Sequence, residues 1–271
     1  LLIIVVASCL LPDAGKGVEF LLKPDFGKVD RNVFLNALGQ SFYSMSIGMG
    51  CICTYASYFS RQTNLFKSAL QISVIDLMVA VLAGLMIFPA AFSVGISPDS
   101  GPSLIFITLP NVFNKAFAAL PVLGWIISLL FYVLLSVAAL TSLMSLHEVN
   151  TSFFYEELKI DRKKGAWIVT ISCAIIGAFC SFSLGATDKL TWLGKTLFDW
   201  FDFITGQIFL PMAGLLTCLF LGWYVPKKIL KDEFTNWGTL KGRLFGIYFF
   251  LIKFVCPILI LLVFLNQFGV L

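Results

Sequence analysis

Four carboxylates lie in stretches otherwise apolar enough for lipid: Asp76, Glu148, Asp199 and Asp202. An aspartate at the centre of a membrane helix costs ~2.5–3.5 kcal/mol on insertion scales, so it is retained where it meets an ion path, a partner or water. Asp76 is the most central of the four, and its own stretch, Ser68 to Val94, carries no basic residue. A bound cation or a proton would neutralise it; a buried acid bonded to another helix is the competing reading. Along Leu123 to Leu158, Ala138, Thr141, Ser142, Ser145 and Glu148 recur at i, i+3, i+4, i+7 and i+10, which sets them in one polar stripe. Uncharged oxygens in such a stripe suit a hard monovalent cation such as sodium. The same hydroxyls can also bond back to carbonyls one turn earlier, and spacing does not separate the two. Asp199 and Asp202, three apart near a helix end, fit either a partner for a basic gate residue or a solvated terminus.

Other chemistries find no residues to stand on. No nucleophile–base pair, phosphate-cradling loop or nucleotide motif is present, so no catalytic residue is assigned and an enzyme is not expected. His147, the one histidine, has no clustered ligands and reads as a hydrogen-bonded packing residue. The seven cysteines lie mostly in apolar stretches, and Cys51 and Cys53, two apart, point to different faces of a helix. They read as small packing residues. No basic cluster suggests nucleic acid.

The stretch from Gly39 to Gly50 must position these groups. It sits inside an apolar run yet carries three glycines, three serines and a glutamine. Helical sequence on either side, Asn32 to Leu38 and Cys51 to Phe59, predicts two half-helices whose junction falls around Ser44 to Gly50. Within a bilayer the N–H and C=O groups freed there must be met by a ligand, an ion or neighbouring protein, since lipid offers no hydrogen bonds. Secondary transporters build midplane binding sites in this way. A glycine kink used only for packing is the plainer alternative.

Composition sets the environment. The 271 residues are 59% hydrophobic and 13% charged, with 28 phenylalanines and a mean hydropathy of +0.93, which marks an integral membrane protein. Apolar runs of about 20 residues recur, each long enough to cross a hydrocarbon layer of ~30 Å. In order, the sequence predicts the last turns of a membrane helix over 1–11, a polar loop from Pro12 to Arg31 capped by Asn32, and then the broken helix. Further spans follow at Ser68 to Val94, Leu123 to Leu158, Trp167 to Leu184, Leu190 to Val225 and Leu244 to Phe268, the last kinked at Pro257. The connection 96–121 is apolar enough to fold back as a lid, although a surface loop is equally compatible. The chain opens in an apolar segment without a basic n-region, so a signal peptide is not expected, and a missing N-terminal part is.

Lysine and arginine number two, four and five in the loops after the broken helix, the long helix and the Asp202 helix. The alternate loops, 12–32, 96–121 and 185–196, hold four, one and two, the first offset by equal acidic charge. By the positive-inside rule the first set is cytoplasmic, which puts the 96–121 segment outside.

Several motifs in order resemble the bacterial neurotransmitter:sodium symporter family, the LeuT-like sodium-dependent amino-acid transporters. They are Gly39-Gln40 followed by Phe-Tyr-Ser-Met-Ser-Ile-Gly-Met-Gly, Thr54-Tyr55-Ala-Ser-Tyr58, Phe106-Ile-Thr-Leu-Pro-Asn-Val-Phe113, Ala139-Leu-Thr-Ser142 and Trp200-Phe-Asp-Phe203. The resemblance implies an all-α polytopic membrane protein of the LeuT fold, an inverted-repeat transporter with a broken helix. It would be present in part, as one transmembrane domain over 1–271 running from the end of the family's fifth helix through its eleventh. About six full spans and the end of one more are expected, in the plasma membrane, with the N-terminal helices of the same protein as missing partners.

The resemblance further implies that the substrate, an amino acid, sits beside Tyr43, Ser44, Ser46 and Met49 with Ser145 and Leu146, Tyr43 acting as an aromatic lid. One sodium ion would be held in part by Ser44 and Asp76, the other by the Ala138 carbonyl and the Thr141 and Ser142 hydroxyls. Gln40 and Asp202 would fall at an outer gate, Tyr58 and Glu156 at an inner one. Asp76 stands where many relatives have asparagine, while Ala80 occupies the position that carries serine in chloride-dependent relatives; the implied transport is chloride-independent. Met49, in place of a bulkier aromatic, favours a hydrophobic or aromatic substrate. A membrane binding or sensing protein without transport, and a proton-coupled carrier using Asp76, are the rival readings.

Overall fold

The computed structural model describes residues 1–60, 62–93, 95, 105, 109–110, 113, 117, 120–185, 191–192 and 195–267. Among the described residues, five helices are long and apolar enough to cross a membrane: α5 (Leu65–Ser93), α6 (Pro121–Glu156), α7 (Arg162–Gly185), α8 (Leu197–Tyr224) and α10 (Phe245–Gln267). Ahead of them come α1 (Leu2–Cys9), α2 (Ala14–Leu22), α3 (Arg31–Ser44) and α4 (Cys51–Ser57), and α9 (Lys227–Phe234) joins α8 to α10. The expected sixth span is the pair α3 and α4, whose 14 and 7 residues are each too short to cross alone. A two-residue ladder, Thr191 opposite Thr196 and Trp192 opposite Lys195, precedes α8.

Some boundaries differ from expectation for local reasons. The supposed loop from Pro12 contains α2, because Ala14, Gly17, Val18 and Leu21 recur at helical spacing between the charges. The cap of α3 is Asp30, whose carboxylate accepts from the Val33 N–H at 2.8 Å, and not Asn32. Helix α7 starts at Arg162, since its basic residues form a helical first turn. Helix α8 starts at Leu197, after Thr196. It widens to i→i+5 bonding over Phe203–Phe209 and Phe220–Tyr224, as α10 does over Leu251–Val255. The segment 96–121 lies mostly outside the described residues.

The chain divides into two units. The first comprises Leu1–Val29 and Gln71–Ser142. Its core joins Ile4 and Val5 of α1 to Met86 and Ala90 of α5, Ile127 and Phe131 of α6, and Leu109 and Phe113, the last two at 0% and 1% exposure. Pro89 lies inside α5, where it cannot donate to the carbonyl four residues earlier. That carbonyl, Leu85 O, accepts instead from the Cys9 thiol at 3.8 Å. Gly17 of α2 packs onto the same kink, where an added Cβ would stand 2.5 Å from the Pro89 nitrogen.

The second unit comprises Asp30–Leu70 and Leu143–Leu271. The middle of α8 packs along the C-terminal half of α10, and α3 lies against both. Small residues permit this: Gly39 faces Val263, and Gly214 faces Phe42 and Ile260.

In the complete protein, Gly17→Ala should lower thermal stability in detergent by about 1–3 kcal/mol through forced backbone displacement at Pro89. Gly15→Ala, whose Cβ would meet nothing within 4 Å, should leave the unfolding midpoint unchanged or raise it.

Candidate functional site

The break between α3 and α4 is built by backbone conformation. Ser46, Gly48 and Gly50 have φ of 53°, 87° and 82°, so left-handed residues alternate with ordinary ones and no helical turn can propagate. The end of α3 is closed by Met45 N–H donating to Ser41 O at 3.1 Å and Ile47 N–H to Phe42 O at 3.0 Å. Gly48 is required twice over: beyond its φ, a Cβ would stand 2.6 Å from Leu210 O of α8. The break thus sets the C-terminus of α3 and the N-terminus of α4, a negative and a positive helix end, six residues apart.

Two cavities of the second unit lie along this broken helix. One, about 380 Å³ and beside α3, is lined by Gln40, Tyr43, Asp202, Gln207 and Gln267 among others. The other, about 520 Å³ and beside the break, is mostly apolar, with Gly48, Met49, Leu146, Phe198, Phe201, Phe209 and Leu210 in its wall. Tyr43, Asp202 and Gly206 belong to both. The fold thus gathers Gln40, Tyr43 and Asp202 at the polar chamber, and Tyr43, Met49 and Leu146 at the apolar one.

The remaining site residues are placed as follows. Ser46 is half-buried in the break, and Ser145 Oγ accepts the Tyr55 hydroxyl proton at 2.7 Å. Ser44 belongs to the second unit; Asp76, half-buried, belongs to the first. Thr141 Oγ1 and Ser142 Oγ both donate to Ala138 O, at 2.8 and 3.1 Å. The three oxygens assigned to the second sodium ion are therefore gathered around one carbonyl, by the back-bonding that spacing left open. Their lone pairs fit part of a monovalent cation's shell, neutral oxygens without a thiol or imidazole.

Asp199 is the third residue of a capping box whose cap is Thr196. Its carboxylate accepts from Thr196 N–H at 3.1 Å and Thr196 Oγ1 at 2.7 Å, and its own N–H donates to Thr196 Oγ1 at 3.1 Å. Of the two acids read as gate candidates, Asp202 is the one that reaches a cavity.

At the other end of α4, the Tyr58 hydroxyl donates to Glu148 Oε1 at 2.8 Å, and Arg162 donates to the same oxygen at 2.6 Å. Glu156, the acid expected beside Tyr58, lies eight residues or ~12 Å further along α6 and is exposed. Glu148 was visible in the sequence as an unpartnered acid. Arg162 was not, because the turn after Glu156 that folds α7 back onto α6 leaves no sequence signature of the pair. His147 is a packing residue, its ring bonded to Thr170 Oγ1 at 3.0 Å, Ala166 O at 3.2 Å and Thr151 Oγ1 at 3.2 Å.

Comparison with known proteins places this broken helix in a family. Residues 1–270 match the Sodium:neurotransmitter symporter family. The chain belongs to that family. Its members are symporters rather than enzymes, and the fold is part of the LeuT fold. The chain is similar to the sodium-dependent transporter YhdH of Bacillus subtilis, at 35% identity over the whole chain and 59% of that protein. It is also similar to a sodium-dependent transporter of Haemophilus influenzae, at 35% identity over 97% of the chain and 56% of that protein. Among solved structures it resembles MhsT in complex with L-phenylalanine, with a TM-score of 0.85 and 35% identity, over 97% of the chain and 58% of MhsT. The chain thus spans somewhat more than half the length of these relatives.

Gly48→Ala in the complete protein should cost about 2 kcal/mol or more, from left-handed backbone and the Leu210 carbonyl together. The check is a thermal melt paired with amino-acid retention, both of which should fall.

Proposed function

We propose that the complete protein is a multi-pass plasma-membrane symporter that couples sodium entry to uptake of a hydrophobic or aromatic amino acid. The observation that carries this reading is the broken helix with a polar chamber and an apolar one along it, and Tyr43 in both walls. Opposed helix ends at the break suit the ammonium and carboxylate of an amino acid, and the phenylalanine and methionine wall suits an apolar side chain. MhsT was crystallised with L-phenylalanine, and a Drosophila persimilis relative, 27% identical over 68% of this chain and 28% of that protein, is a sodium-dependent nutrient amino acid transporter.

In this reading Tyr43, Ser44, Ser46, Met49, Ser145 and Leu146 surround the substrate, and Gln40 and Asp202 act at the outer mouth. Ser44 and Asp76 contribute to one sodium site; Ala138, Thr141 and Ser142 contribute to the other. At the inner mouth, Tyr58 works with Glu148 and Arg162, and Glu156 marks the outer limit of that region. Sodium favours the state that admits substrate by binding it more tightly, and the bundle rocks between two accesses.

The test is retention of radiolabelled amino acids by the complete protein in detergent, in sodium and then in potassium. Retention of a hydrophobic amino acid should require sodium and should weaken about tenfold in Ser142→Ala. Retention indifferent to sodium in every amino acid tried would overturn the reading; dependence on pH instead would transfer the coupling to Asp76 as a proton carrier. Uptake should persist when chloride is exchanged for gluconate, because Asp76 supplies the compensating negative charge.

A further inference from the structure

Lys253 lies in the interior of the apolar span Phe245–Gln267 and has no role in the transport reading. Its ammonium is held among aromatic rings, 4.5 Å from the Trp223 centroid and 5.6 Å from those of Phe249 and Phe254. The arrangement is built into the backbone. The i→i+5 segments Phe220–Tyr224 and Leu251–Val255 meet at Gly222, where a Cβ would stand 2.9 Å from Lys253 Cα. The Trp223 indole N–H donates to Lys253 O at 3.3 Å, which fixes the ring over the ammonium.

A second ammonium, that of Lys227, lies 5.1 Å from the same Phe249 ring. Among the described residues neither lysine has a carboxylate within ion-pair distance. Lys227 and Lys228 also open α9, whose first turn holds no acid, so two cations stand at the positive end of a helix dipole. An anion joining this grouping would relieve the repulsion among its cations. Lys253 sits roughly 12 Å along α10 from its start, within reach of the interface on the side of the basic 226–243 loop. The surrounding tryptophan and phenylalanine rings mark that same boundary.

We propose that Lys227 and Lys253 hold the phosphate of an anionic phospholipid of the cytoplasmic leaflet, with acyl chains lying along the aromatic face of Phe249 and Phe254. A cytoplasmic leaflet rich in anionic lipid supplies the charge this corner lacks, and each lysine near that surface strengthens attachment about fivefold. The lipid ties the end of α8 to the start of α10, away from the chambers at the break.

The experiment is native mass spectrometry of the complete, delipidated transporter exchanged into mixed micelles containing equal phosphatidylglycerol and phosphatidylcholine. The expected result is selective retention of phosphatidylglycerol. Lys227→Gln, at an exposed position, should reduce that retention about fivefold, and Lys227→Gln with Lys253→Met should abolish the selectivity. Replacing both by arginine should preserve it. Lys164→Gln, at an exposed lysine in the first turn of α7, should have no effect. Selectivity unchanged in folded Lys227→Gln, or lost equally in Lys164→Gln, would overturn the proposal. So would displacement of the lipid by excess inorganic phosphate, which would assign the corner to a small anion.

Discussion

The bilayer interior offers no hydrogen bonds, so every interruption of a helix there must be met by neighbouring protein, an ion or a ligand. The structure repeats one repair at two prolines. Pro89 leaves the Leu85 carbonyl without its helical donor, and the Cys9 thiol of another helix supplies one. Pro257 stands four residues after Lys253, whose carbonyl accepts the Trp223 indole proton. Each repair brings in a neighbouring helix, so the irregular points of the spans are also the points at which helices are joined.

The break between α3 and α4 is the large-scale case of the same constraint. Three left-handed residues stop both half-helices, and the close approach of Leu210 O requires glycine at position 48. Local turns meet part of the resulting demand, with Met45, Ser46 and Ile47 N–H donating to the carbonyls of Ser41, Tyr43 and Phe42. The two chambers beside it are lined unlike one another, one mostly polar and the other mostly apolar.

Much of this was legible in the residues. Glycines and serines inside an apolar run disclosed the break to within a residue of Ser44–Gly50, because nothing else in a lipid-facing helix calls for them. The long helix was visible as an unpunctuated apolar stretch. Caps were less legible: Asp30 and Asn32 are both good caps, and only the bond to Val33 N–H decides between them. The i→i+5 segments escaped notice since they contain the same residues an α-helix would. Helix α2 was hidden by its charges, although its apolar face follows helical spacing. The pairing of Tyr58, Glu148 and Arg162 depends on how α6 and α7 turn about residues 157–161, and sequence distance carries no trace of it. Likewise the stripe of hydroxyls on α6 could be read from spacing, but the convergence of two of them on the Ala138 carbonyl needed coordinates.

Tyr43 is a partition wall common to two rooms. Because one ring lines both chambers, its removal or a change of its rotamer alters the two linings together, and neither chamber can be reshaped at this position without the other.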